Sequence, residues 1–293
     1  MKVTEELYSA KKIMPPKWLP GSIQYECIMG SQAYGTDTED SDTDIYGWCI
    51  PPKNYIFPHL AGEIQGFDIP KYRFDHFTAH HVEHKEKEYD LQIYSIIKYF
   101  ALLRDNNPNI IDSIYVPQNC VLKLSPIAAM VRDKRDIFIS KKAFHKLKGY
   151  SFSQLHKMKS KNPNGKRKEI RDKYGFDVKF GAHVVRLLSQ CQQMLEEGTI
   201  DLQEVGRREH MKAIRRGEVS EQDIIDWFNS KERELEKIYA ASKLQYSPDE
   251  AAIKQLLLDC LEHHYGSIDK IESLDKYREK CRQIQEILGN ENY

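Results

Sequence analysis

The chain has 293 residues, with 44 Lys and Arg against 44 Asp and Glu, so its formal net charge is zero. This length can bury a sizeable core and predicts two domains or one large one. The balanced charge excludes a globally basic nucleic-acid binder and an acidic solvating protein. Any attraction for phosphate must therefore come from local patches.

The cysteines and the N-terminus indicate the compartment. The six cysteines are widely spread, and no two form a CxxC pair, which is typical of reduced, packed thiols and not of a disulfide framework or a zinc site. The first 21 residues contain no apolar segment like that of a signal peptide, and nowhere do eighteen apolar residues run together. We therefore expect a soluble, cytoplasmic protein with no membrane partner.

Short strands are predicted in the first part of the chain. SIQYECIM at 22–29 and DIYGWCIPP at 44–52 are rich in β-branched and aromatic residues and are bounded by Gly, Ser, Asp and Pro. Farther on, FTAHHVEHKEKEYDLQIYSI predicts one or two more strands. A helix through YSIIKYFALLRD follows, and NNPN predicts its end.

Helices are predicted from about residue 120 onward. Apolar residues recur at three- and four-residue spacing in five stretches, 125–140, 141–160, 177–198, 220–242 and 247–266. In the last stretch Ser247, Pro248 and Glu250 predict a capping box. The fold class is therefore α+β, with a small mixed-sheet domain over 1–120 followed by a helical domain over 121–293.

An acidic cluster lies between the first two predicted strands, at Asp37, Glu39, Asp40, Asp42 and Asp44. A calcium loop starting at Asp40 would need Gly at its sixth position and Glu at its twelfth, and the chain has Ile45 and Pro51 there. The calcium interpretation fails for that reason. A solvated polar turn and a catalytic metal site remain as alternatives.

The spacing of Asp42 and Asp44 favours the metal site. In extended backbone their carboxylates point to one side, and two close carboxylates in a partly buried site need a compensating cation. A hard dication bound by oxygen ligands provides one. Upstream, Gly30 permits close backbone approach and Ser31 offers a hydroxyl and an amide, as a phosphate site requires.

The Gly-Ser pair followed by Asp-x-Asp resembles the signature of the DNA polymerase β-like nucleotidyltransferase superfamily. The string GSQAYGTDTEDSDTDIYGWCIPP is similar to the predicted nucleotidyltransferases of bacteria and phages that are called YcgL-like or RNA-ligase-associated. The matching positions are Gly30, Ser31, Ala33, Tyr34, Gly35, Thr38, Ser41, Asp42, Asp44 and Gly47. The resemblance extends from about residue 22 to about residue 220 and implies a palm-like catalytic domain.

A third carboxylate is implied by this resemblance. Asp90 matches the acidic position of the family before the NNPN run, and Glu88 would face the same side of an extended strand. We expect Asp90 to be the third metal ligand and keep Glu88 as the alternative. A helix N-cap is the structural alternative for Asp90.

Cationic partners for a triphosphate are predicted on a helix through residues 178–197. Lys179, His183 and Arg186 lie on one face of this helix and match the helix of the family, while the apolar residues form a separate stripe. The alternative is a solvated face beside a core face. At Phe180 the family commonly has His, so no role of that His is implied here.

A local excess of positive charge lies between residues 141 and 173, with twelve Lys and Arg against Glu169 and Asp172. Interleaved aromatic residues suit phosphate contact and base stacking, so this segment predicts an RNA or tRNA acceptor. The alternative is a solvated pair of lysine-rich helices.

Together these features predict a nucleotidyltransferase that uses Mg²⁺, with two ions expected, and an NTP, ATP being the first candidate. Asp42, Asp44 and Asp90 would be the catalytic metal ligands, and Gly30, Ser31, Lys179, His183 and Arg186 would bind the nucleotide. The alternatives are a non-catalytic nucleotide- or RNA-binding protein on the same fold, and nucleotidylation of a protein or a small molecule.

Overall fold

The computed structural model describes residues 2–38, 41–57, 74–159 and 166–266. A five-stranded sheet is formed by β1 (Ile23–Ile28), β2 (Thr43–Cys49), β3 (His76–His84), β4 (Lys87–Ser95) and β5 (Val121–Leu124). The strand order is β3-β4-β2-β1-β5. β2 and β4 run parallel and the other neighbours are antiparallel, so the sheet is mixed, as predicted.

Helices lie before, between and after the strands. The shortest are α1 (Val3–Ser9), α2 (Leu19–Ser22), α3 (Gly30–Ala33) and α4 (Lys53–Ile56). The others are α5 (Ile96–Arg104), α6 (Pro108–Tyr115), α7 (Pro126–Asp133), α8 (Lys142–Met158), α9 (Lys166–Tyr174), α10 (Val178–Glu197), α11 (Val205–Arg215), α12 (Glu221–Ala241) and α13 (Glu250–Tyr265). With the mixed sheet they form the predicted α+β fold.

Side-chain alternation along β2 separates two environments. Ile45 is fully buried and packs with Leu91 of β4 in the apolar cluster that includes residues of α1. Trp48 points to the opposite face and belongs to the large core shared with the helices. Asp44 and Tyr46 lie on the same face as Trp48, because alternate residues of a strand share a face.

The buried carboxylate of Glu26 on β1 attaches α1 to the sheet. It accepts hydrogen bonds from the backbone N–H groups of Val3 and Thr4, both at 2.9 Å, and from the Thr4 hydroxyl. These N–H groups belong to the first turn of α1 and have no partner within the helix. The carboxylate of Glu26 therefore provides the hydrogen-bond acceptor that these buried N–H groups lack within the helix.

β3 and β4 form a hairpin whose turn residues, Lys85 and Glu86, have φ of 48° and 61°. Asp90 lies within β4, and the N-cap of α5 is Ser95, whose side chain accepts from the Lys98 N–H at 3.2 Å. The alternative role of Asp90 as a helix N-cap is therefore wrong. The parallel pairing with β2 extends the strand beyond Asp90, and the helix begins only after Ser95.

α10 has the bounds that the sequence predicts and lies at the centre of the helical region. Asp177 caps its N-terminus by accepting from the N–H groups of Lys179 at 3.0 Å and Phe180 at 3.3 Å. Gly198, with φ of 70°, ends it. The helix packs against α8, α11 and α12, which leaves little of its surface exposed to solvent.

The predicted capping box of α13 is wrong by two residues. The N-cap is Asp249, whose carboxylate accepts from the N–H groups of Ala251 at 3.1 Å and Ala252 at 3.0 Å. Ser247 and Pro248 precede the helix, because the carboxylate of Asp249 already satisfies the first-turn donors. None of the described helices is both long and apolar enough to cross a membrane.

Candidate active site

Asp44 and Asp90 are direct partners in the parallel pairing of β2 and β4. Side chains of directly opposed residues point to the same side of a sheet, so both carboxylates face the helical region. Asp42 is exposed and immediately precedes β2. The fold thus brings together the three acidic side chains that the sequence singles out.

Burial and two neighbouring carboxylates determine the electrostatics of Asp44. Burial raises the pKa of Asp44 from 3.8 to about 6, and the negative charges of Asp90 and Asp42 contribute in the same direction. His80 and Lys179 act in the opposite direction. An ionised Asp44 is therefore unfavourable without a cation beside it.

Gly30 lies directly against Asp44. Its φ is +64°, and a Cβ atom added to it would lie 2.0 Å from Oδ2 of Asp44. The backbone continues this contact, since the Met29 N–H donates to the Asp44 carbonyl at 2.8 Å. Ser31 is the next residue of α3, and its carbonyl accepts from the Thr36 N–H at 2.9 Å. The Gly-Ser turn is thereby fixed beside the carboxylate.

Hydrogen bonds from α11 and the residues before it stabilise this turn. This helix was not predicted from the sequence. Arg215 donates to the Thr36 carbonyl at 2.7 Å, and Gln203, which precedes α11, donates to the Gln32 carbonyl at 3.3 Å. A Cβ added to Gly35 would lie 2.9 Å from Cδ of Arg208. The many charged residues of α11 made its amphipathic pattern difficult to recognise in the sequence.

Lys179 and His183 lie in the N-terminal half of α10. Lys179 is exposed, and its positive charge acts to lower the pKa of Asp44, so the two side chains lie within electrostatic range of each other. Burial lowers the pKa of His183 to about 3, helped by the positive charges of Arg186, Arg167, Arg215 and Lys157. Its Nδ1 is buried and has no hydrogen-bond partner among the described residues. His183 is thus a neutral ring surrounded by cations.

Arg186 is 1% exposed, which excludes the solvated-face alternative for this residue. Its Nη1 pairs with Asp112 and donates to the Tyr34 hydroxyl at 2.9 Å. Burial opposes its charge, but Tyr34 and Asp112 hold its pKa above the ordinary value. Within the described residues its Nε and Nη2 are buried and have no partner. A buried donor without an acceptor costs about 1–3 kcal/mol, so the burial of these two atoms is unfavourable.

The acidic side chains fit a hard dication by donor type, since carboxylate oxygens are the ligands that Mg²⁺ prefers. The contact of Asp44 with Gly30 and its raised pKa add to this fit. However, no group of three His, Cys, Asp or Glu is set in ligand geometry within the described ranges. Oδ1 of Asp90 instead accepts from the His81 N–H at 2.8 Å.

Part of the basic segment at 141–173 lies near the carboxylates. Burial raises the pKa of Tyr46, which follows Asp44 on the same face of β2, and Tyr150 of α8 contributes in the same direction. The Lys157 ammonium lies 6.0 Å and the Arg167 guanidinium 4.0 Å from the ring centroid of Phe180 on α10. The C-terminal half of α8 and the start of α9 therefore flank the first turns of α10.

Other lysines of the segment form ion pairs with carboxylates of neighbouring elements. Lys142 pairs with Asp105 at 3.0 Å, and Lys148 pairs with Glu232 at 2.9 Å and Glu236 at 2.7 Å. These pairs attach the first half of α8 to α5 and α12. Residues 160–165, which include Lys161, lie outside the described residues.

Comparisons with known proteins identify a family for the chain. The model of the RNA repair pathway DNA polymerase beta family, RlaP, matches residues 5–259, a longer range than the resemblance at 22–220. Among solved structures, a nucleotidyltransferase-like protein from Exiguobacterium sibiricum 255-15 is similar at 12% identity, over 89% of this chain and 79% of that chain, with a TM-score of 0.30. No curated protein matches the chain.

The family match includes the Gly-Ser turn, both strands that carry the opposed carboxylates, and the whole of α10. It leaves unmatched only the first four residues and the stretch after 259. The chain therefore belongs to the RNA repair pathway DNA polymerase beta family, a family of DNA polymerase β-like nucleotidyltransferases.

Proposed function

We propose that the protein is a Mg²⁺-dependent nucleotidyltransferase that moves a nucleoside monophosphate from an NTP to an acceptor hydroxyl on RNA or tRNA. ATP is the first candidate for the NTP. The acceptor oxygen forms a bond to the α-phosphorus and its proton passes to solvent. The bond between the α-phosphorus and the oxygen that bridges to the β-phosphorus breaks, and pyrophosphate leaves with that oxygen. Such transfer requires mainly positioning and neutralisation of charge.

The observation that carries this proposal is the direct pairing of Asp44 with Asp90 beside Gly30. Carboxylates on adjacent parallel strands, facing a turn that permits close backbone approach, suit metal-bound phosphate. Asp42, Asp44 and Asp90 would hold the ions. Bound Mg²⁺ would neutralise phosphate charge and lower the pKa of the attacking hydroxyl.

The triphosphate would lie between the Gly-Ser turn and α10. Gly30 and Ser31 would contact it from one side, and Lys179 would reach it from the other, because the charge of Lys179 acts on Asp44. The unpartnered Nε and Nη2 of Arg186 and Nδ1 of His183 support this placement. The guanidinium of Arg186 lies 4.5 Å from the ring centroid of Tyr34, and this buried pair would have to open for phosphate oxygens to accept from the two arginine atoms.

The RNA acceptor is supported by the position of Lys157 and Arg167 next to α10. Backbone phosphates attract such cations without regard to sequence, and Tyr150, two helical turns before Lys157 on the same face of α8, provides an aromatic ring. The description of the family as an RNA repair pathway family points to the same class of acceptor.

The test is incubation of the purified protein with each labelled NTP, Mg²⁺ and total RNA, alongside Asp42→Asn, Asp44→Asn and Asp90→Asn. We expect label to enter RNA only with the wild-type protein. Label that enters RNA equally well with all three variants would remove the metal assignment. NTP binding without transfer to RNA, protein or small molecules would favour a non-catalytic binding protein.

A further inference from the structure

The strand opposite Asp90 contains a β-bulge. Ala79 pairs with Leu91 and Val82 pairs with Tyr89, so two residues of β3, His80 and His81, face the single residue Asp90. A bulge inserts one extra residue, disrupts the ladder locally and can redirect a side chain, and such bulges are frequent next to active sites.

The bulge gives Asp90 a backbone donor that a regular ladder would not provide. His81 has φ of 53°, in the left-handed region that non-glycine residues rarely adopt. In this conformation its N–H donates to Oδ1 of Asp90 at 2.8 Å. His80 Nδ1 lies 3.5 Å from the same oxygen. Both contacts engage Oδ1, and Oδ2 accepts no hydrogen bond from the described residues.

Glu88 has a different contact from Asp90, although both lie on the same face of β4. Its carboxylate pairs with Nδ1 of His81, the residue with positive φ. Glu88 therefore contacts the bulge itself and helps to retain the ring of His81 beside β4.

We propose that the bulge at His80 and His81 is a positioning device for Asp90, and that the backbone N–H of His81 fixes the carboxylate through Oδ1 so that Oδ2 is presented to the metal. His81 is then a positioning residue, and Glu88 stabilises the bulge and is not a metal ligand. This inference rests on the proposed function, because it takes Asp90 as a ligand. Partners that orient metal ligands typically contribute 10–100-fold to metal affinity.

The test compares two substitutions that both remove the imidazole ring of His81 and keep its N–H. Glycine adopts positive φ readily, whereas a β-branched valine does so only at a high cost. We expect His81→Gly to bind Mn²⁺ within about twofold of the wild-type affinity. We expect His81→Val to bind Mn²⁺ about tenfold more weakly or worse, because the strand straightens and the donor moves away.

Mn²⁺ affinity is measured by electron paramagnetic resonance without NTP, and thermal unfolding reports whether each variant is folded. Should His81→Val fail to fold, His81→Ala, which has a smaller left-handed penalty, is expected to give an intermediate loss. Wild-type affinity in the folded His81→Val or His81→Ala variant would overturn the inference. Equal losses in His81→Gly and His81→Val would overturn it too, since the ring would then be the cause.

Asp90→Asn and Asp42→Asn separate this inference from the proposed function. Weaker Mn²⁺ binding in these two variants, with normal binding in His81→Val, would leave the proposed function standing and remove the role of the bulge. Normal Mn²⁺ binding in both aspartate variants would remove the metal assignment and the positioning role with it.

Discussion

Asp44 and Asp90 lie directly opposite each other on adjacent parallel strands. Among the described residues neither carboxylate forms an ion pair with Lys or Arg, and the imidazole of His80 lies 3.5 Å from Oδ1 of Asp90. His80 and Lys179 act to lower the pKa of Asp44. An arrangement of this kind lowers stability in the absence of a cation, and the cost is measurable.

Asp44→Asn should raise the stability of the metal-free protein. The folded pKa of about 6 exceeds the usual 3.8, so the folded state holds the proton more tightly than the unfolded state. The contribution of Asp44 to the free energy of unfolding is then greatest below about pH 4 and is lost as the pH rises through about 6. At pH 7 in EDTA we expect the variant to gain about 1–3 kcal/mol in urea unfolding. A variant less stable than wild type at pH 7 would contradict this.

Gly30→Ala should abolish transfer, because a Cβ would lie 2.0 Å from Oδ2 of Asp44 and φ is +64°. Gly175→Ala is the matched control, since Gly175 has φ of +83° and a Cβ there would meet nothing within 4 Å. Both variants carry the backbone penalty of about 1 kcal/mol, and only Gly30→Ala displaces a carboxylate. Equal activity of the two variants in the labelled-NTP assay would show that the contact is unimportant.

Arg186→Lys should weaken NTP binding by about tenfold or more, since lysine keeps the positive charge but lacks the two unpartnered donors. Arg207→Lys is the control, because Arg207 is also buried, and its Nη2 donates to the Asp201 carbonyl. The measurement is titration with a fluorescent NTP, with thermal unfolding alongside. An unchanged Kd in a folded Arg186→Lys protein would exclude a phosphate contact.

Lys157→Glu should weaken RNA binding severalfold and lower its salt dependence, because Lys157 lies beside α10. Lys146→Glu is the control and should have little effect on RNA binding. Lys146 is an exposed lysine on the same helix, and its charge adds to that of Lys142 in lowering the pKa of Asp105. Fluorescence polarisation of a short labelled RNA at several salt concentrations measures both. Equal losses in the two variants would indicate nonspecific attraction and not an RNA site near the carboxylates.

Glu26→Ala should destabilise the fold by about 2–4 kcal/mol, because two buried N–H groups of α1 lose their acceptor. Glu5→Ala, at an exposed first-turn position of the same helix, should change stability by less than about 1 kcal/mol. Urea unfolding of both variants makes the comparison. A similar small loss in the two variants would show that the buried carboxylate of Glu26 contributes no more to stability than the exposed carboxylate of Glu5.

Sequence patterns predicted the strands at 23–28 and 43–49 and the full length of α10, because each has strong periodicity and clear boundary residues. The role of the acidic residues as metal ligands stays a prediction, although their identity as a cluster was predictable. Their assembly was not, since the parallel pairing of β2 with β4 is a long-range property that no local pattern encodes.

Three other features escaped prediction for local reasons. The turn at Lys85 and Glu86 has positive φ at both residues but contains neither Gly nor Asn, the usual signals of such a turn. α11 has few apolar residues, and one of its buried side chains is Arg207. The bulge at His80 and His81 appears only when β3 is aligned with β4.

The hairpin of β3 and β4 also orders the events of folding. A hairpin joined by two residues forms in about 1–10 μs, so Asp90 and its His81 donor can come together early. Asp44 joins them only when β2 pairs in parallel with β4 across a long sequence separation, which is a slower step. Completion of the sheet is therefore the event that brings Asp44 and Asp90 opposite each other.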